Sequence, residues 1–160
     1  MLLAVFSDSH GNTARMIAAI ERHRPDCVAF LGDVVRDIDF VRARFPALPF
    51  HAVRGNCDGA APGWPDSDLF ELDGVSIFCA HGHNHDVNFG LDKFGTSVLC
   101  SGAVLGLYGH THRALYQETS GIQILNPGTI GDALHPTYAL VQLENGRAVC
   151  RILDCGEARS

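Results

Sequence analysis

The sequence predicts an α/β sandwich of mixed sheets with helices on the outside. Three observations carry that reading. Short apolar runs alternate with helical periodicity in the first half, strands crowd the second half, and Asp73-Gly74 and Asn145-Gly146 are hairpin turn signals. No internal repeat, low-complexity tract or linker interrupts the 160 residues, so residues 1–160 are expected to form a single domain.

Residues 2–6 form an apolar run suited to a buried strand. Asn12-Thr13 is expected to cap a helix whose apolar positions Ala14, Ile17, Ala18 and Ile20 keep a 3.6-residue period, closing near Pro25. Residues 27–31 give a second buried strand, stopped at Gly32-Asp33, and a short helix is expected around 38–44. A strand near 50–53 stops at Arg54-Gly55-Asn56, and the Gly- and Pro-rich stretch 59–66 is a loop. Strands near 68–72 and 75–80 form the first hairpin. The stretch 84–102 reads as a helix weakened by Gly90, Gly95 and Gly102. Residues 103–108 are another buried strand, and strands near 114–118, 122–125, 137–143 and 147–153 follow.

Composition excludes several classes. Apolar residues make up 46% and charged residues 19%, which is incompatible with a chain too polar to collapse. The net charge is 12 − 18 = −6, and no basic run appears, which counts against a nucleic-acid partner. No window approaches the ~18 apolar residues of a membrane span. The opening run Met1–Phe6 is too short for a signal-peptide core and lacks its basic start, so the cytosol is the expected compartment. The six cysteines contain no C-x-x-C pair, and no disulfide framework is expected.

Histidine is the outlier. Of nine, five (His81, His83, His85, His110 and His112) fall within 32 residues. Apolar strands repeatedly end in Asp, Asn or His: Asp8-x-His10, Gly32-Asp33, Gly55-Asn56, His81-Gly82-His83 and Gly109-His110-Thr111-His112. In open α/β sheets ligands bind beyond the carboxyl ends of the strands. Residues two apart point to the same side of an extended segment, so each D-x-H or H-x-H pair can act as a pincer. Each motif taken alone also fits a turn or cap residue; their order, each after a strand, favours a shared site.

This ordered set, with Asp58 completing Gly55-Asn56-Cys57-Asp58, resembles the calcineurin-like metallophosphoesterases. Val53–Asp58 and Asn126-Pro127-Gly128-Thr129 resemble the small bacterial and archaeal phosphodiesterases within them. The resemblance covers about residues 2–152 and implies a four-layer αββα sandwich, two mixed β-sheets flanked by helices, with the site at one edge. It also implies two divalent ions. One would take Asp8, His10, Asp33 and His112; the other Asp33, Asn56, His81 and His110, so that Asp33 bridges. The mixed oxygen and imidazole donors suit Mn²⁺ first, with Fe²⁺, Ni²⁺ or Zn²⁺ as alternatives, and disfavour Ca²⁺.

The expected activity is hydrolysis of a small phosphate ester by a hydroxide held between the two ions, without a phosphoenzyme. The chain departs from many relatives at Cys57, where they carry a histidine that contacts substrate. A thiol with an ordinary pKa near 8.5 donates weakly and carries no positive charge, so diesters are expected to be preferred over alkyl monoesters. Arg54 is the candidate cation near substrate, and Asp58 the candidate carboxylate orienting a histidine or Arg54. His83 and His85 are expected to line the cleft or lie exposed, and Asn12 and Asn126 to reach substrate or the ligands. The alternative is a non-catalytic metal-binding scaffold or protein-interaction subunit on the same fold; a nuclease is a further rival. A homo-oligomer is the family-based expectation for assembly.

Overall fold

Two five-stranded mixed sheets pack face to face in the computed structural model, which describes residues 1–156. The first sheet has the order β10-β9-β1-β2-β3 and the second β4-β5-β6-β8-β7. In chain order the strands are β1 (Leu2–Phe6), β2 (Cys27–Phe30), β3 (Phe50–Ala52), β4 (Ser67–Leu72), β5 (Val75–Ala80), β6 (Leu105–Leu107), β7 (Leu115–Thr119), β8 (Ile122–Asn126), β9 (Thr137–Glu144) and β10 (Arg147–Asp154). The helices are α1 (Thr13–His23), α2 (Arg36–Arg44) and α3 (Asp92–Cys100).

Strand alternation explains the four layers. From β1, Leu3 and Val5 point into the inter-sheet core with Ile77, Cys79, Leu105, Leu107, Leu125 and Val141. Their neighbours Ala4 and Phe6 face outward, against Met16 and Ile20 of α1 and Ile38 and Val41 of α2. On the other sheet Phe78, Ala80 and Ile124 face outward against Phe94 and Val98 of α3. The central strands are buried on both faces, which is why they read as continuous apolar runs rather than alternating ones. The chain is therefore the expected α/β sandwich with layers ordered helix, sheet, sheet, helix.

Strands β1, β2 and β3 run parallel, as do β5, β6 and β8. Parallel alignment puts the carboxyl ends of each triplet together, and these ends carry every motif singled out above.

Details differ from the sequence reading for local reasons. Asn12 makes no side-chain cap on α1; its Nδ2 instead donates to the Gly131 carbonyl at 3.3 Å. Helix α2 starts two residues earlier than expected, at Arg36. Within 84–102 only Asp92–Cys100 is α-helical. Gly95 sits inside that helix, and Gly106 of β6 lies so close beneath it that a Cβ would approach Val98 Cγ2 to 2.5 Å. Asp73-Gly74 and Asn145-Gly146 adopt paired left-handed conformations, as two-residue hairpins require; Ser120-Gly121 forms a third such turn that the sequence reading did not single out. All six cysteines are free, and among the described residues no helix is long and apolar enough to cross a membrane.

Candidate metal centre

Five loops leaving the parallel strands converge on one edge of the sandwich. Asp8 and His10 follow β1, Asp33 follows β2, Asn56 follows β3, His81 follows β5, and His110 and His112 follow β6. Asp8 and His81 are fully buried, and Asp33 nearly so. His10 and Asn56 are exposed, giving the site a closed floor and an open mouth.

The backbone at these positions is unusual. Asp8, His10, Asp33, His110 and His112 all have φ between 43° and 66°, and the β-branched Val34 stands at 67°. Each such non-glycine residue costs of order 1–3 kcal/mol and persists only when its surroundings over-determine it. The surroundings are identifiable. Asp37 of α2 accepts from the Ser9 hydroxyl (2.6 Å) and the Gly11 amide (2.8 Å), clamping the His10 loop. Thr129 Oγ1 donates to the Asp8 carbonyl at 2.9 Å, and the Ser7 hydroxyl to Asp8 Oδ2 at 2.5 Å. Buried Asn126 donates from Nδ2 to the Gly109 carbonyl and the Thr111 hydroxyl, both at 3.0 Å, and accepts from the Gly128 amide.

Two donor sets result. Asp8, His10, Asp33 and His112 each offer one atom, all within 4.8 Å of one another; His112 Nε2 lies 3.1 Å from Asp8 Oδ1. In the second set His81 Nε2 lies 3.1 Å from Asn56 Oδ1, 3.3 Å from His110 Nδ1 and 3.5 Å from Asp33 Oδ1. An ion with bonds of ~2.1 Å has ligand–ligand edges of about 3.0–3.4 Å, so this spacing fits a transition-metal ion. Asp33 stands in both sets.

Hydrogen bonds orient the donors. His81 donates from Nδ1 to the Leu31 carbonyl at 2.7 Å, which turns Nε2 toward the site. Burial, then the adjacent His81, hold His110 below the usual imidazole value against the opposing pull of Asp33 and Asp8. Burial alone would raise Asp33, but the Cys57 amide (2.9 Å from Oδ1), His81, the Cys57 thiol and His10 outweigh it and hold the carboxyl low.

Burial also lowers His23, His83 and His85, reinforced by Arg22, His81 and His83 respectively. With His110 these groups bind protons more tightly when unfolded, so their stabilising contribution is complete above the unfolded pKa of about 6.5 and is lost as pH falls from there through the lower folded values. The melting temperature of chelator-treated protein is expected to fall between pH 7.5 and 5.5; a flat or rising profile contradicts these environments.

Three expected roles change. The Arg54 guanidinium is paired rather than free: Nε and Nη2 fork onto Asp66 at 2.6 and 3.1 Å, and Nη1 reaches the Gly59 carbonyl. Asp58 orients neither a histidine nor Arg54. Its carboxylate accepts from the backbone amides of Gly55 (2.7 Å), Val35 (2.7 Å) and Asp33 (3.1 Å), tying the β3 loop to the β2 loop. Asn12 and Asn126 hold loop backbone, as described. Cys57 is exposed beside Asp33, and its thiol is pushed up by burial and by the negative charges of Asp33, Asp58 and Asp8. His83 lies next to His81 and His110, with ring centroids 5.4 and 6.2 Å away, whereas His85 packs edge-on against Phe78 and Phe94. The residues not anticipated are Ser7, which bonds its neighbour Asp8, and Asp37, Thr129 and Asn88, whose side-chain amide lies 2.9 Å from His110 Nε2; these last three act across 22 or more residues and leave no local signature.

Space at Gly55 is essential to this arrangement. A Cβ there would stand 2.1 Å from Asp33 Oδ1 and 2.6 Å from the Asp33 nitrogen, displacing the carboxylate. Misplacing a reacting geometry by about 1 Å costs on the order of 100-fold in rate. Gly55→Ala is therefore expected to lose about 100-fold in metal-dependent turnover, with far-UV circular dichroism unchanged; wild-type turnover would contradict the close approach.

Two carboxylates, an amide oxygen and four imidazoles at the carboxyl ends of a four-layer sandwich define a candidate centre for metal-dependent ester hydrolysis. Residues 1–146 match the calcineurin-like phosphoesterase superfamily domain, and the chain belongs to that family. It is 30% identical over 167 residues to a protein of Bacillus subtilis named "Probable metallophosphoesterase", covering 96% of this chain and 91% of the relative. It is 27% identical over 146 residues to a phosphodiesterase of Methanocaldococcus jannaschii, covering 80% and 83%. Among solved structures, a Streptococcus pneumoniae protein described as a predicted phosphoesterase superposes with a TM-score of 0.81 at 28% identity, covering 97% of this chain and 90% of that one.

Proposed function

We propose that this protein is a dinuclear metal-dependent phosphodiesterase acting on a small phosphate ester, with Mn²⁺ the first candidate ion. The observation that supports the proposal is the position of Asp33, which is grouped with Asp8, His10 and His112 and also lies 3.5 Å from His81 Nε2. The phosphodiesterase name of the archaeal relative supports the preference for diesters.

Bound divalent ions would acidify a water and offset the charge that develops on the phosphoryl oxygens. The chain supplies the rest. Asp8, His10, Asp33 and His112 would hold one ion, and Asp33, Asn56, His81 and His110 the other. The Leu31 carbonyl turns Nε2 of His81 toward the site, and the Cys57 amide and the neighbouring histidines hold the Asp33 carboxyl low. Exposed Asn56 and Cys57 border the open side from which substrate would approach. The neutral thiol of Cys57 gives little help to a poor leaving group, so an aryl diester is the expected substrate class and an alkyl monoester the disfavoured one. The cytosol is the expected compartment, and a homo-oligomer the expected assembly.

The test is turnover of an aryl phosphodiester beside its monoester by chelator-stripped protein during Mn²⁺ titration. The proposal expects activity that rises with metal and favours the diester. Metal binding without turnover of either ester would support the scaffold alternative. Cys57→His restores a basic donor at the mouth and is expected to shift the diester-to-monoester ratio toward the monoester by about tenfold or more. An unchanged ratio would remove Cys57 from the account of specificity.

A further inference from the structure

A cleft of about 490 Å³ opens beside the candidate centre, within the size range of small-molecule sites. Cys57 belongs to its lining, so the cleft borders the mouth described above. Val34, Arg36 and Asp39 line it from the start of α2, and Pro62 and Trp64 from the loop 59–66.

The loop wall is pre-formed. Its glycines and prolines encode no regular structure, yet Arg54 ties it at both ends. The guanidinium forks onto Asp66 and reaches the Gly59 carbonyl, and the Arg54 amide donates to the Pro65 carbonyl at 2.9 Å. Between these ties, Trp64 packs against the apolar cluster that includes Val35 and Ile38. The Arg42 guanidinium stands 5.7 Å from the Trp64 ring centre without lining the cleft. An aromatic ring held in this way loses little freedom when a ligand stacks on it.

The charges narrow the choice of ligand. Arg36 and Asp39 are both exposed, and neither has an ion-pair partner among the described residues. An ammonium group in the cleft would face Arg36, and a second anion would face Asp39 and Asp58. A polyhydroxyl group would lose hydration against Pro62 and Trp64. A flat, neutral group with donors and acceptors along its edge suits every wall. Its face can stack on Trp64, Arg36 can donate to its acceptors, and Asp39 can accept from its donors.

We propose that this cleft is the subsite for one ester group of the substrate: a planar heteroaromatic group with hydrogen-bonding edges, such as a nucleobase. Trp64 is its platform, Arg36 and Asp39 read its edge, and Arg54 is the positioning residue that fixes the loop wall. The proposal rests on the phosphoester reading above for the place of the phosphoryl group.

The test has one arm that needs no metal and one that does. Trp64 is the only tryptophan in the chain, so its fluorescence reports on the cleft. Adenosine added to chelator-treated protein is expected to quench that fluorescence saturably. Arg36→Gln, at an exposed position, is expected to weaken the binding about tenfold. In Mn²⁺-loaded protein, adenosine 5′-monophosphate is expected to inhibit aryl diester turnover about tenfold more tightly than ribose 5-phosphate. Arg36→Gln, and Trp64→Ala checked for folding by thermal melting, are each expected to narrow that difference to about twofold. Adenosine that fails to quench saturably, or a nucleotide that inhibits no better than the sugar phosphate, overturns the proposal. Saturable quenching by adenosine with no inhibition by any phosphate instead contradicts the phosphoester reading, so the two failures are distinguishable.

Discussion

Asp33→Asn is expected to lower phosphoester turnover by about a thousandfold or more, equivalent to ~4 kcal/mol of lost transition-state stabilisation. Asparagine preserves the size of the side chain and an oxygen to accept the Cys57 amide, so the β2 loop retains its shape. What disappears is the negative charge common to both donor sets. Four of the seven proposed donors are imidazoles and one is an amide oxygen, which leaves Asp8 as the sole remaining carboxylate against two dications. Bound metal is therefore expected to fall from two ions per chain to one or none under conditions that saturate the wild type. Retention of more than about a tenth of the activity would show that Asp33 does not serve both ions.

Asp58→Ala is expected to cost about 3–5 kcal/mol of folding stability, a large effect for a half-buried surface-loop residue. Its carboxylate accepts three backbone amides, from Asp33, Val35 and Gly55, and no other group in the two loops replaces it. Hydrogen bonds to a charged acceptor contribute about 1.5–3 kcal/mol each, and orphaned amides add their own desolvation cost. Urea denaturation of the chelator-treated variant measures the effect. Asp58→Asn, which keeps an acceptor but loses charge, should fall between the two. A loss below about 1 kcal/mol would mean that solvent satisfies these amides and that the loops are held by other contacts.

The sequence exposed the fold and the site residues to different depths. Strands β1, β2 and β5 are legible because burial on both faces demands uninterrupted apolar runs. The proposed donors each stand directly after such a run, where a parallel sheet gathers its loops, which is why the sequence singles them out. Helix α3 was blurred by Gly95, whose place depends on contact with another element rather than on local periodicity. The roles of Asp58, Arg54, Asn126 and Asn88 were not legible for the same reason. Asp58 was expected to orient a side chain, yet it binds backbone amides of two loops, one of them 25 residues away. Arg54 was expected near substrate, yet Asp66, twelve residues on, engages it first. Residue type indicated that chemistry was present; only the packing of loop against loop specified which groups face the centre and which hold it in place.

The left-handed backbone at five of the seven proposed donors adds a physical reason for that division. Strained loops require many fixed partners, and Ser7, Asp37, Asp58, Asn126 and Thr129 supply them through hydrogen bonds to the loop backbone or to Asp8. The proposed donors are thereby held in place by the protein itself, which would reduce the reorganisation that metal binding demands.

The most direct test of the dinuclear centre is an anomalous difference map from crystals of the wild-type protein soaked in Mn²⁺. Two peaks are expected on either side of the Asp33 carboxylate, about 3.5–4 Å apart. One peak would lie among Asp8, His10 and His112, the other among Asn56, His81 and His110. A single peak at saturating Mn²⁺, or peaks that leave Asp33 uncoordinated, would contradict it.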